Sequence, residues 1–306
     1  MKKRILITYD VEDWAYHKNA KILRNELSSD FEIVLISDQD KYALVDHLSK
    51  NPYDLLFLQW FPDAELFTMQ FQLPYPVVTQ VTSNIYFKKR SEGWRGLQNT
   101  PLIAAKSKEY YDCLLPIFGE QRIRLAYHVN DASLFKPRFG RRNKDFVVGY
   151  VGRDCEIANK KKGHSFIKKA CNSLGIEMKV AGFDNRMPYH EMCKFYHSVD
   201  AVVCASAEFT EGAPNPMLEG GLSGTPLITT RVGQIQEMLK DGENGFFCDR
   251  NAESIAEKLS ILIKNEDLYN KFSREMHETC VDYANLAINQ WKKFFDESLS
   301  LRNNQV

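Results

Sequence analysis

This chain of 306 residues carries no excess of charge of either sign: Lys+Arg and Asp+Glu each total 40. Divided at residue 137, it has 17 residues of each sign before that point and 23 of each after it. Neither half is a polycation, which disfavours duplex DNA binding driven by global charge and strong steering to an anionic membrane. Cysteine is sparse and unpatterned. The seven are odd in number, scattered, and never spaced C-x-x-C, so they read as small core side chains rather than a disulfide framework. No apolar run approaches the length of a membrane span. Met1-Lys-Lys-Arg4 precedes an apolar stretch too brief for a signal sequence, and the expectation is a cytoplasmic protein. No G-x-G-x-x-G follows an early strand, so a dinucleotide-dependent oxidoreductase has little support. No cluster of His, Cys and carboxylates has metal-ligand spacing. Tandem repeats and low-complexity tracts are absent too.

Short apolar strands alternating with helical stretches run along most of the chain, the pattern of parallel α/β layers. The expected strands of the first half are 5–9, 32–37, 54–59, 77–81, 103–106 and 123–127. Those of the second half are 146–151, 177–181, 201–205, 226–229 and 245–248. Each half has its own strand set, and the length is sufficient for two domains with real cores. The charged, turn-rich stretch Phe135–Lys144 reads as the linker between them. A final helix is expected over Leu286–Leu299, with Trp291, Phe294, Phe295 and Leu299 on its apolar face. The expected domains are therefore 1–137, 138–285, and a C-terminal helix and tail over 286–306.

The most informative stretch runs from Ser206 to Pro226 and contains Glu211, Gly212, Ala213, Pro214, Asn215, Pro216 and Glu219. An apolar strand, Ala201–Ala205, feeds a turn bearing Glu211, and Pro214 and Pro216 mark the start of a helix carrying Glu219. A helix N-terminus offers free N–H groups and partial positive charge, which suits a phosphate or a set of sugar hydroxyls. Two carboxylates, one on the loop and one on the helix, can grip polyol oxygens from two sides. The plainer reading makes Glu211 a helix cap and Glu219 a solvated helical side chain. The prolines between them, and Gly220-Gly221 after Glu219, weigh against an ordinary surface helix and point to close backbone approach.

Glu211-Gly-Ala-Pro214 through Glu219 resembles the E-G-x-P-x-x-x-x-E signature of retaining glycosyltransferases of family 4. Gly224–Gly233 and Glu237–Phe246 are similar to that family's following strand, glycine loop and turn, and Tyr127–Pro137 to its interdomain segment. The resemblance implies an α/β GT-B fold: two facing Rossmann-like domains with parallel sheets, and a C-terminal helix crossing back to the first domain. It implies transfer of a sugar, with retention, from a nucleotide-diphosphate donor to an acceptor hydroxyl. Arg153, Lys162 and Glu211 are then the catalytic candidates, with the two cations on the donor diphosphate. Glu219, Gly212, Ala213, Pro214 and Asn215 are the donor-binding candidates, Glu219 through the ribose. Arg186 and Met187 are candidates for base contact. No cofactor and no metal are required, because fixed positive groups replace the ion. The opposing reading makes Lys160–Lys162 an ordinary solvated basic turn.

The N-terminal half departs from the family. Tyr9–Trp14 stands where members carry a glycine-rich loop, and Thr82 stands near the usual place of a histidine. Thr82, Asn84 and Trp60 are the acceptor-side candidates; capping a turn or roofing the core explains them as well. The chain also trims a helix and strand after Gly182. Asp38-Gln-Asp40 fits the D-x-D of another glycosyltransferase fold but lies too early in the chain, and a surface turn is expected there. His17, His128 and His164 read as surface or satisfied core residues. Asn84–Arg95 mixes aromatic and basic side chains, suited to an anionic or lipid-linked acceptor or to snorkelling lysines. The acceptor class, a glycan, lipid-linked or small-molecule hydroxyl, is open, as is the oligomeric state, and nothing points strongly to nucleic acid or membrane. Two alternatives stand: a GT-B nucleotide-sugar epimerase, or a non-catalytic sugar- or nucleotide-binding protein of the same ancestry.

Overall fold

The computed structural model describes residues 1–71, 73–82, 94–153, 160–182 and 187–301. They form two compact units, one of Met1–Val129 with the chain from Asn285 onward, the other of Asn130–Ala284.

The first unit is built on β1 (Lys3–Tyr9), α1 (Ala15–Glu26), β2 (Phe31–Ser37), α2 (Lys41–Lys50), β3 (Leu55–Leu58), β4 (Val77–Val81), α3 (Trp94–Asn99), β5 (Ile103–Ala105), α4 (Lys108–Phe118) and β6 (Ile123–Leu125). Its six strands are parallel, in the order β2-β1-β3-β4-β5-β6. All four residues of β3 are buried, as expected of a strand covered on both faces. Leu56 and Leu58 pack with Leu6, Leu44, Leu48 and Phe67 on one face. Phe57 points to the other face, where Trp291, Phe294 and Phe295 surround it with ring centroids 5.0, 6.2 and 5.6 Å away.

The second unit contains β7 (Val147–Val151), α5 (His164–Leu174), β8 (Glu177–Ala181), α6 (Met192–Tyr196), β9 (Ala201–Cys204), α7 (Asn215–Leu222), β10 (Leu227–Thr229), α8 (Ile235–Met238), β11 (Phe246–Phe247) and α9 (Ala252–Lys264). Its parallel sheet has the order β11-β10-β9-β7-β8. Alternation along β9 fills two separate cores: Val202 and Cys204 join Met217, Leu218 and Met276, while Ala201 and Val203 join Ile167, Ile255 and Phe272. The strand order reverses between β7 and β9, and the loops leaving their carboxyl ends diverge there. That is where open α/β sheets bind ligands.

Each expected strand is present, shortened by a residue or two at some ends. Three other expectations are corrected. The last helix is α10 (Glu266–Ser300), one element of 35 residues that begins well before Leu286. Its early turns pack Phe272, Met276 and Cys280 into the second unit. Trp291, Phe294 and Phe295 are buried in the first, each contributing about 2–3 kcal/mol. Second, Asp38-Gln-Asp40 is a surface bend only at Gln39 and Asp40, which are exposed. Asp38 is buried beside Lys41, 3.7 Å away, and Asp40 caps α2 by accepting from the Tyr42 and Ala43 amides.

Third, Phe135–Lys144 is no loose linker. Phe135 is fully buried in the core of the second unit, and the units divide after Val129 rather than at 137. Arg142 fastens this segment. Its guanidinium donates to the carbonyls of Tyr196 (3.1 Å), Val199 (2.8 Å), Ser223 (3.1 Å) and Gly224 (2.9 Å), and to Thr225 Oγ1 (2.8 Å). The buried carboxylate of Asp200 accepts from the amides of Arg142 (2.8 Å) and Val147 (2.9 Å). Arg142→Met removes all five of these bonds, although the Tyr196, Ser223 and Gly224 carbonyls each keep one other donor. The expected loss is about 2–3 kcal/mol for the second unit, read as a lower denaturant midpoint in the far-ultraviolet circular dichroism of the full chain.

Candidate functional site

The loop after β9 is held from three directions. Ala207 N–H donates to the Lys161 carbonyl at 2.7 Å, Arg250 Nε donates to the Ala205 carbonyl at 2.9 Å, and Thr230 Oγ1 donates to the Ser206 carbonyl at 2.7 Å. Gly163, just before α5, has φ +65°, and a Cβ there would lie 2.5 Å from the Ala205 oxygen. Only glycine permits that approach. Within the loop, Phe209 has φ 57°, an uncommon left-handed conformation for an aromatic residue and a form of strain found at functional loops.

Two backbones brought this close carry their side chains with them. Lys162 Nζ lies 2.9 Å from Glu211 Oε1, and Ser206 Oγ donates to the same oxygen at 3.3 Å. Burial disfavours the Lys162 ammonium, but Glu211, Cys204 and Tyr150 outweigh it and hold the amine protonated above its ordinary range. In the Lys160–Lys162 run the first two side chains are exposed, as in a solvated turn, while their carbonyls bind Arg250 and Ala207; the Lys162 side chain is turned onto Glu211.

Glu211 is steadied from behind as well. Gln234 N–H donates to the Gly212 carbonyl at 2.8 Å. At Gly233, φ +49°, a Cβ would lie 2.3 Å from the Glu211 carbonyl oxygen and 2.5 Å from that of Gly212. The chain then enters α7 through Pro214 at the cap and Pro216 in the first turn. Pro214 is buried, while Ala213 and Asn215 are half-buried.

Glu219, five residues into α7, is buried rather than solvated. Tyr196 Oη donates to its Oε2 at 2.7 Å. Burial first, and Glu219 second, push the Tyr196 phenol well above its usual range, so it remains a donor. Tyr189 is raised for the same two leading reasons, with Asp131 adding to them. The glycines after Glu219 answer to packing: a Cβ at Gly221 would meet Cys280 Sγ at 2.4 Å, and one at Gly220 would meet Val202 at 3.1 Å. This places α7 tightly on β9 and α10.

Arg153 follows Gly152 at the end of β7, exposed, with its carbonyl accepting from Tyr150 Oη at 3.2 Å. It shares the sheet edge with Lys162 and Glu211. Met187 is half-buried against the second unit's core, and Arg186 lies outside the described residues. In the first unit, Tyr16 brings two acceptor-side candidates together. Its hydroxyl shares a 3.0 Å hydrogen bond with Thr82 Oγ1, and its ring lies 6.4 Å from that of Trp60. Asn84 and the other residues of 83–93 lie outside the described residues.

Sequence reading does not single out Ser206, Tyr196, Gly233 or Tyr16. Ser206, two residues past a strand at the reversal of strand order, is the one for which position gave a signal. Among the described residues, no group of three or more His, Cys, Asp and Glu side chains is arranged to hold a metal ion, no helix is long and apolar enough to cross a membrane, and six cysteines are free thiols.

Two parallel-sheet α/β units, with a C-terminal helix whose end belongs to the first, make up the GT-B fold. The crystal structure of Anabaena Alr3699/HepE in complex with UDP and glucose shares it, with a TM-score of 0.71 at 14% identity, covering 95% of this chain and 99% of that one. Residues 144–279, inside the second unit, match the family model of glycosyl transferases, group 1. Over 119 residues the chain is 31% identical to the lipopolysaccharide core biosynthesis glycosyltransferase LpsE of Rhizobium meliloti, covering 38% of this chain and 33% of that protein. Over 102 residues it is 28% identical to the D-inositol 3-phosphate glycosyltransferase of Corynebacterium urealyticum, covering 33% of this chain and 23% of that one. The match thus spans a third or less of these relatives' length.

Gly233→Ala tests how the Glu211 loop is held. The new methyl cannot fit beside the Glu211 and Gly212 carbonyls, so the loop must shift. The expected loss is about 2 kcal/mol or more, measured as a lower melting temperature, with a crystal structure of the variant showing Glu211 Oε1 displaced from Lys162.

Proposed function

We propose that this protein is a glycosyltransferase that moves a sugar, with retention at the anomeric carbon, from a nucleotide-diphosphate donor to an acceptor hydroxyl. The observation that carries this reading is the Lys162–Glu211 ion pair. It lies beside the start of α7, at the reversal of strand order, in the segment that matches the group 1 glycosyl transferases.

The chemistry follows from charge. As the glycosidic C–O bond breaks, its electron pair leaves with the diphosphate and the sugar ring becomes cationic. Lys162, Arg153 and the positive dipole end of α7 stabilise the diphosphate. Glu211 binds sugar hydroxyls and favours the cationic ring; with its charge engaged by Lys162 and Ser206, an electrostatic role suits it better than a nucleophilic one. The acceptor oxygen attacks from the face the diphosphate leaves and passes its proton to a phosphate oxygen. Glu219 holds the ribose hydroxyls, and Tyr196 keeps that carboxylate in place. Fixed cations do the work of a metal, so the reaction needs none. UDP is the first base to test, since the structural neighbour from Anabaena was solved with UDP and glucose. LpsE and the inositol phosphate enzyme suggest an envelope glycan or small-molecule acceptor, and a nucleotide-sugar donor is in keeping with a cytoplasmic setting.

Thermal shifts with UDP, GDP and ADP, with and without magnesium, test the donor site. One nucleotide should stabilise the protein without metal, as any ligand specific to the native state must; no shift with any of them sinks the reading. With the active donor in hand, Glu211→Gln should cut turnover by on the order of a hundredfold and leave nucleotide affinity within about threefold. Equal loss of both would assign Glu211 to ground-state binding. Tyr196→Phe should do the reverse, weakening the nucleotide by about tenfold, the worth of one hydrogen bond to a charged group, with turnover at saturation little changed.

A further inference from the structure

Lys106 follows β5 directly, at the carboxyl edge of the first unit's sheet. Its side chain is buried, and Nζ has no hydrogen-bond partner among the described residues. The amine lies 4.3 Å from the centre of the Trp291 ring, a face that attracts a cation but accepts no ordinary hydrogen bond. Desolvation alone governs its titration and holds it well below the usual lysine range, so no carboxylate among the described residues compensates it.

The imidazole of His128 lies within its electrostatic reach. His128, beyond β6, is driven below its ordinary range by burial, then by Lys106 and by Lys18 of α1. Lys18 and His128 are half-buried, which opens this cluster to solvent. Basic groups acting on one another, with no carboxylate among the described residues acting on the innermost of them, are relieved by an anion.

Polar acceptors stand beside them. Gln80 pairs in register with Ala104, so its side chain shares a face with Lys106, two residues on from Ala104. Gln80 and Asn19 both hydrogen-bond to Gln59, while Gln80 Oε1 and Asn19 Oδ1 remain buried without partners among the described residues. They are placed to take hydroxyl donors.

We propose that Lys106, His128 and Lys18 bind a phosphate group of the acceptor, with Asn19 and Gln80 receiving acceptor hydroxyls beside it. A lysine stem has the rotamer freedom to move its ammonium from the Trp291 ring to a phosphate oxygen. The inference rests on the transferase reading and narrows its acceptor to a phosphorylated, hydroxylated molecule.

The test is calorimetric titration of the full chain with inorganic phosphate, in saturating UDP so that the donor site is occupied, with acetate as the carboxylate control. Phosphate should bind more tightly than acetate. Lys106→Met should weaken phosphate by on the order of tenfold, the share of one charge-assisted contact, and Lys18→Gln by about threefold, both with unchanged UDP affinity. No phosphate binding to the wild type, equal binding of acetate, or unchanged phosphate affinity in either variant overturns the proposal. Should Lys106→Met fail to fold, Lys18→Gln decides it. A wild type that binds phosphate but not UDP counts against the transferase reading alone.

Discussion

The backbone around Gly163 lies against the backbone of Ala205–Ala207, and the candidate site depends on that contact. Parallel strands covered on both faces leave a ligand only the loops at their carboxyl ends. Loops from different strands make a site only if something registers them. Here a glycine without a Cβ lets the start of α5 touch the carbonyl at the end of β9, and the Ala207 amide closes the junction. The Lys162 ammonium then meets the Glu211 carboxylate as a consequence of where the two main chains run.

The two carboxylates of the motif are treated differently by the same scaffold. Glu211 sits on a loop, compensated by Lys162 and Ser206. Glu219 sits inside a helix drawn tightly onto β9 by Gly220 and Gly221, and receives a phenol hydroxyl. A buried carboxylate needs such a donor, because removing it from water without compensation is costly. The first unit shows the opposite situation at Lys106, where the amine is buried over an aromatic ring with no hydrogen-bond partner among the described residues.

The strands were legible because apolar runs of fixed length between turn residues reflect burial on two faces. The loop glutamate, the prolines and Lys162 stood out for similarly local reasons. The extent of α10 was not legible: its apolar residues serve one unit early and the other late, so a search for a single face recovers only the stretch around Trp291. Phe135–Lys144 misled because its charge suggested solvent, whereas Arg142 spends that charge on carbonyls of the second unit. Asp38 misled likewise, being a polar residue at a strand end that tertiary packing buries.

By itself, the sequence determined the α/β class, the two strand sets and the residues able to carry donor-side chemistry, because periodicity, turn residues and short motifs act over a few neighbours. Tertiary structure alone decided that Lys162 pairs with Glu211, that Tyr196 serves Glu219, and that Lys106 is buried against the Trp291 ring. Those facts depend on distances between residues from 23 to 185 positions apart in the chain, and such distances exist only once the strands are ordered and packed.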